Sequence, residues 1–477
     1  MRTFKHIQQY LVRALLALVM LWLPACDLID PSEVENPAIT ADNLLGNPNG
    51  GTTALVSGLK RYFSNTIGPT ALIGDLVSDN LDNRTSFYDN TLTFPRTVTP
   101  KSFTYTDVYL NGQRLKALAD FGLSAIIPND VLATNAQKSE VHFYRGMALL
   151  LLAERFTNFP LTEKGDPVTA AAALQEAVSS LNTAFGLTTA NAMITNIRLA
   201  KARAYRLLGD KTNAATEANA ALAISGGATY VFSAPFEQSN QATVHQAMVS
   251  RTSNDIQPNP RLDFLDPKYT TTATSVPVLK AEEAHLILAE IALSNNDLAA
   301  AKTSMKNAIT VARGRATLQY NDRDARTGRP NDSTMTVAYE AGATPVAGLI
   351  KKRGGTSIVT VYPTSGTSLT TANIDALVSK YDHIYTLYLL RQQIFFLEGR
   401  RMTDLGIRLP VPQRQIDGNA KVVDGSVGTV VTVPGHIPQS DEMRKYSTAG
   451  TVVTIQWDMN KVIAQNIGSV SPLGVTP

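Results

Sequence analysis

A chain of 477 residues, 44% hydrophobic and 17% charged, can bury a large core, and its length admits more than one domain. Three of its 43 basic residues, Arg2, Lys5 and Arg13, precede the first acidic one, and the 40 that remain face 40 acidic residues, a balance that gives no electrostatic footprint for nucleic acid. A single cysteine, Cys26, excludes internal disulfides and cysteine-based metal cages, and six scattered histidines show no HExxH spacing, so neither metal nor other cofactor is expected.

Residues 1–25 have a basic start and an apolar run from Ala14 to Leu23, too short to span a bilayer, and read as an export signal. The run ends in Leu23-Pro24-Ala25-Cys26, which resembles the lipobox of bacterial lipoproteins. That resemblance implies that Cys26 becomes the lipidated first residue of the mature chain. Residues 26–52 are rich in Asn, Pro and acidic side chains and read as a tether, leaving 53–477 as one domain.

Helical periodicity predicts helices over 53–64 and 72–81, a loop over 84–102, and a helix over 105–125. The segment 138–156 is apolar almost all round, the mark of a helix inside a bundle, and 169–185 is its partner. Residues 193–225 form two helices joined at Gly209-Asp210. There Gly209 permits the turn and Asp210 caps the second helix, whose small face carries Ala214, Ala218 and Ala221. Residues 278–314 repeat the design, with Asn296-Asp297 at the turn and Ala301, Met305, Ala308 and Ala312 behind it. Both hairpins resemble tetratricopeptide units, which bury their faces only by stacking on neighbours. The fold class read from this pattern is mostly α, four tetratricopeptide-like pairs over 53–225 and 278–314. Gly-, Ser- and Thr-rich irregular or β insertions fill 226–277 and 315–371, and a long terminal helix over 377–405 leads to a tail with hairpins that ends at 477.

The end of the terminal helix and the residues after it read RQQIFFLEGRRMTDLGIRLPVPQRQID, which resembles the C-terminal signature of the SusD/RagB family through Phe396, Glu398, Gly399, Arg401, Asp404 and Leu405 in the helix and Pro410 and Pro412 beyond it. VHFYRGMALLLLAERFTNFPL, NPRLDFLDPKY and VPVLKAEEAHLILAEIAL resemble further family segments in the right order, with Lys280 where an arginine is frequent and Asn158 where a glycine is. The resemblance covers most of the mature chain. It implies a non-enzymatic lipoprotein of the cell outer membrane, facing outward, that captures a nutrient, often a glycan, for a partner TonB-dependent transporter. A lipid-anchored scaffold that binds proteins or peptides through its repeats is the alternative.

Glu398, Arg401 and Asp404 are three residues apart, so one guanidinium is expected to bridge two carboxylates in a structural ion-pair network. Ser57-Gly-Leu-Lys60 and Ser78-Asp79-Asn80 look like pieces of a serine hydrolase. They lie too close together in sequence for a catalytic domain to fit between them. For an oligosaccharide the useful side chains are aromatics in the insertions. Phe87, Tyr88, Tyr269, Tyr320 and Tyr339 are the candidates, with Tyr88, Tyr269 and Tyr320 expected to meet in one shallow polar cleft.

Overall fold

The computed structural model describes residues 50–83, 90–236, 243–249, 256–322, 330–354, 357–439 and 441–477. The export signal, Cys26 and the tether lie outside them. Within them the helices pair in chain order: α1 (Gly51–Leu76) on α2 (Thr106–Phe121), α3 (Asn135–Ala153) on α4 (Ala170–Gly186), α5 (Asn191–Leu208) on α6 (Lys211–Ala223), and α7 (Ala281–Ser294) on α8 (Leu298–Arg313). Each pair also packs on the next, through α2 and α3, α4 and α5, and α6 and α7. The result is the four-pair helical scaffold expected from the repeat pattern.

Local chemistry explains the pairing. Gly209 takes φ 76°, and the Asp210 carboxylate accepts from the Asn213 N–H at 3.0 Å to start α6. In the later pair Asn296 takes φ 59°, and Asp297 accepts from the Ala300 N–H at 2.9 Å. The α3 N-terminus is closed by a capping box between Thr134 and Gln137, and its centre, Met147 to Leu150, is wholly buried.

Two helix boundaries differ from the expectation. Residues 53–81 are not two helices: α1 runs unbroken through Pro69 to Leu76. Pro69 has no N–H for the Asn65 carbonyl, and the Asn111 side-chain amide of α2 donates to that carbonyl instead, at 3.1 Å. Conversely, the terminal helix is not continuous. α9 (Lys380–Ile394), opened by a capping box at Ser379 and Asp382, stops before Phe395, and a single turn resumes at Arg401–Asp404. Between them Leu397 takes φ 55° and Gly399 φ 69°. A Cβ on Gly399 would collide with the Thr70 carbonyl oxygen, and one on Gly74 would lie 2.6 Å from the Gly399 Cα. Two glycines therefore let α1 and this turn touch backbone to backbone.

The insertions carry short strands. β1 (Leu81–Asn83) pairs antiparallel with β5 (Ile256–Pro258), β2 (Asn158–Pro160) with β3 (Pro167–Thr169), β4 (Val231–Ala234) with β6 (Val276–Lys280), and β7 (Leu318–Asn321) with β9 (Ile358–Val361). β8 (Thr336–Ala338) runs parallel to β11 (Val452–Ile455), whose antiparallel partner is β10 (Tyr446–Ala449). The β10–β11 hairpin fits the expected tail, and α10 (Met459–Gln465) follows it and packs on α9.

Candidate functional site

The signature passage lies in the interior. Glu398 accepts from Lys268 and Lys280, both at 2.6 Å. Arg401 donates to both Asp79 oxygens, at 2.5 and 2.9 Å, and to Asn460 at 2.9 Å. Asp404 accepts from Arg391 at 2.9 and 2.8 Å. All three expected residues thus belong to one buried ionic hub, but Arg401 does not bridge Glu398 and Asp404. The break at Leu397 and Gly399 turns Glu398 toward the β6 side while Arg401 reaches α1's end. Arg155 donates to the Gly399 carbonyl at 3.0 Å, and Arg203 clasps Glu154 alongside. Asp79, part of the hydrolase-like tripeptide, is consumed by this pairing.

Burial dominates the hub's electrostatics. It pushes Asp75, which accepts from the Leu397 N–H at 2.5 Å, up to about 7, although that bond and the Lys268 charge pull the other way. Burial likewise lowers Lys268 to about 8 against the attraction of Glu398. These groups have no solvent face to offer a ligand.

The site candidate lies elsewhere, where three elements meet. A mutual antiparallel bridge between Val337 and Val346, with bonds of 3.0 and 2.9 Å, closes a hairpin. Its turn has Gly342 at φ 80° and an Ala343 N–H donating to the Glu340 carbonyl at 3.2 Å, the geometry of a type II turn. The first turns of α9 present Tyr381 and Tyr385, four residues apart and so on one face. Asp458 caps α10. Together they enclose a cleft of about 290 Å³ lined by Tyr339, Tyr381, Tyr385, Asp382, Asp458 and Lys461, among others.

Its walls are held firmly. The Arg261 guanidinium lies 4.1 Å from the Tyr339 ring centroid and donates to Asp458 at 2.8 Å, and the Tyr385 hydroxyl donates to the other Asp458 oxygen at 2.6 Å. Burial pushes the Asp458 carboxyl up, but the Arg261 charge and these hydrogen bonds outweigh it and hold the group below its usual range. At the rim Lys461 donates to both Glu340 oxygens at 2.7 Å. Phenol rings, carboxylates and an ammonium around an open cleft can stack on the apolar face of a ring and hydrogen-bond its hydroxyls. No serine, cysteine or histidine lines it among the described residues.

Of the sequence candidates, Tyr339 is in this cleft. Tyr320 is 38% exposed on β7, opposite Val359 of β9. Tyr269 must be withdrawn: it is 1% exposed, its hydroxyl donates to the Leu397 carbonyl at 2.9 Å, and its ring meets the edge of His245. The expected meeting of Tyr88, Tyr269 and Tyr320 fails on that residue. Phe87 and Tyr88 lie outside the described residues. Sequence reading passed over Tyr381 and Tyr385; their four-residue spacing at a capped helix start was the available signal.

No protein-family model matches the chain, and no curated protein does. Solved structures do. A SusD/RagB family protein from Bacteroides thetaiotaomicron superposes on 80% of this chain and 96% of its own, with 11% identity and a TM-score of 0.51. The fold is SusD-like. A SusD superfamily protein from the same species covers 78% of this chain and 96% of its own at 11% identity and TM-score 0.49. A SusD-like carbohydrate binding protein from Bacteroides vulgatus covers 75% and 82% at 13% identity and TM-score 0.47. At these identities the likeness speaks to fold alone, and only the first of the three is close enough to argue from.

Proposed function

We propose that this chain is a SusD/RagB-type outer-membrane lipoprotein, anchored through Cys26, that captures an oligosaccharide and delivers it to a partner TonB-dependent transporter. The single observation that carries the reading is a tyrosine-walled, polar cleft on a SusD-like scaffold, apart from the buried hub that takes up Glu398, Arg401 and Asp404. The cleft binds and does not catalyse: its carboxylates are committed to Arg261, Lys461 and the α9 cap rather than poised as an acid–base pair. Tyrosine faces supply shape recognition of sugar rings, and the rim supplies hydrogen bonds to hydroxyls.

The test is affinity capture of the tagged full-length protein from solubilised membranes of its native host. A TonB-dependent barrel is expected as the dominant partner. A set of soluble partners and no barrel would favour the lipid-anchored tetratricopeptide-like scaffold instead. Cys26→Ser is expected to move the protein out of the membrane fraction, and unchanged fractionation would remove the anchor from the proposal.

A further inference from the structure

Beyond the bridged hairpin the same chain segment builds a second cavity, of about 390 Å³, and its chemistry differs from the first. Lys351, Lys352, Phe264, Ile358, Thr360 and Tyr362 form most of its wall. The tyrosine cleft is lined by three carboxylates and one ammonium, whereas here two ammoniums line the space and no carboxylate does, among the described residues.

The buried acids nearby are already engaged by a guanidinium. Arg353, itself 4% exposed, donates to both oxygens of Asp263 at 2.8 Å and to Asp322 at 2.6 Å. Among the described residues the two lysines are the charged side chains of the lining, with the exposed Asp332, beside Ser333, near enough to interact with Lys352. Lys351 is fixed: its backbone N–H donates to Asp263 at 2.7 Å, and its ammonium donates to the carbonyls of Thr360 at 2.5 Å and Asp266 at 3.2 Å. An ammonium has three protons, so one remains for the cavity it lines. Burial, aided by the Arg353 charge, lowers this lysine to about 8 against the pull of Asp266, Asp263 and Asp322. A bound anion would compensate a charge the fold otherwise holds at some expense. Lys352 is exposed at the rim. The apolar wall is firm, with Phe264 and Tyr362 edge to face at 6.4 Å and the Lys351 ammonium 5.8 Å from the Tyr362 ring centroid.

We propose that this cavity is a subsite for an anionic group on the captured oligomer, a uronate carboxylate or a sulfate ester, held by Lys351 and Lys352 against Tyr362. The inference rests on the oligosaccharide reading above and narrows its ligand class. Thr344 lines the first cavity and Gly348 the second, so the two linings approach within four residues of one chain, at most about 14 Å between those Cα atoms. One oligomer can place a neutral ring among the tyrosines and a charged one over the lysines.

The experiment uses the intact mature protein and calorimetric titration with matched trimers: galacturonate and glucuronate trimers with their methyl esters, and a sulfated galactose trimer with its unsulfated form. At least one charged trimer is expected to bind about fivefold tighter than its neutral counterpart, with the preference shrinking as salt is raised. Lys352→Gln, at an exposed position, is expected to remove most of that preference and leave neutral binding unchanged. Lys351→Gln is expected to do the same wherever its melting curve shows a folded protein. Equal affinity for charged and neutral trimers, or a preference that survives Lys352→Gln, overturns the subsite. If neutral trimers still bind and lose affinity on Tyr381→Ala, the capture reading stands without it. Failure of every trimer, charged or neutral, overturns both. A preference confined to the uronates or to the sulfated trimer supports the subsite and names the anion.

Discussion

Between Leu397 and Asp404 the chain buries Glu398, Arg400, Arg401 and Asp404, none more than 7% exposed, whereas at the tyrosine cleft the Lys461 and Glu340 side chains are 38% and 40% exposed. Both regions use ion pairs at hydrogen-bonding distance, yet the pairs have different consequences. In the hub each charge lies away from water, and losing a partner leaves an uncompensated ion, a penalty of about 3–5 kcal/mol. At the rim water screens what is lost, and a pair is worth about 0–1 kcal/mol. The hub therefore fixes how α1, α3, α7 and α9 meet, and the rim is free to answer to a ligand.

The largest effect that tests this contrast is Arg401→Ala. Asp79 would lose both guanidinium bonds and keep only Gln392, at 2.8 Å. Stability by chemical denaturation should fall by about 3–5 kcal/mol. Lys461→Ala, at the rim, should change it by less than about 1 kcal/mol. Similar losses from the two would erase the distinction between the regions.

The hub should also reveal itself through pH. Burial raises both Asp75 and Glu283 to about 7, the latter despite Arg203 and Arg391. A carboxyl with a raised folded-state value binds its proton more tightly in the native chain. Its contribution is complete below the unfolded value near 4 and is lost as pH rises through about 7. These two groups favour pH 5 over pH 8. His245, lowered by burial to about 4, works the other way below the usual imidazole value, so the carboxyl effect is read from a variant against its parent. Asp458 and Glu154, both held below their usual range, oppose the two raised carboxyls only where pH falls toward 4 and below. Asp75→Asn removes one of the two terms. The variant should be more stable than the parent at pH 8, by about 1–3 kcal/mol, and the gap should narrow toward pH 5 and close only near pH 4. A gap that does not depend on pH would show that Asp75 is ionised in the hub.

How much of this was readable beforehand follows from the range of the interactions. The pairs at Gly209-Asp210 and Asn296-Asp297 are set by residues within one turn of each other, and periodicity found them. So was the buried α3. The break in the terminal helix was not readable, because the Leu397 N–H is taken by Asp75, 322 positions earlier. Arg401's choice of Asp79 over its helical neighbours spans the same distance. The one-piece α1 depends on an amide from α2 answering for Pro69. At the cleft Tyr339 was found because it sits in an insertion rich in turn formers. Tyr381 and Tyr385 were lost in what looked like ordinary helix, since nothing local says that α10 would bring Asp458 to their side.

The smallest effects separate the two kinds of tyrosine. Tyr381 is 39% exposed at the cleft, and Tyr269 is 1% exposed in the hub. Replacing Tyr381 by Ala removes a stacking face and little core, so the midpoint of denaturation should hardly move. Affinity for a bound oligosaccharide should fall by about 1 kcal/mol, or roughly fivefold, since each ring adds only a share of the stacking. Tyr269→Phe keeps the ring against His245 but deletes the hydroxyl that donates to the Leu397 carbonyl. That should lower stability by about 1 kcal/mol and leave affinity unchanged, because a buried acceptor loses its partner while the cleft is untouched. Titration and denaturation of both variants give four numbers with a crossed pattern. If Tyr269→Phe weakened binding while Tyr381→Ala did not, the ligand would belong near the hub, and the cleft would be only a gap between the hairpin and α9.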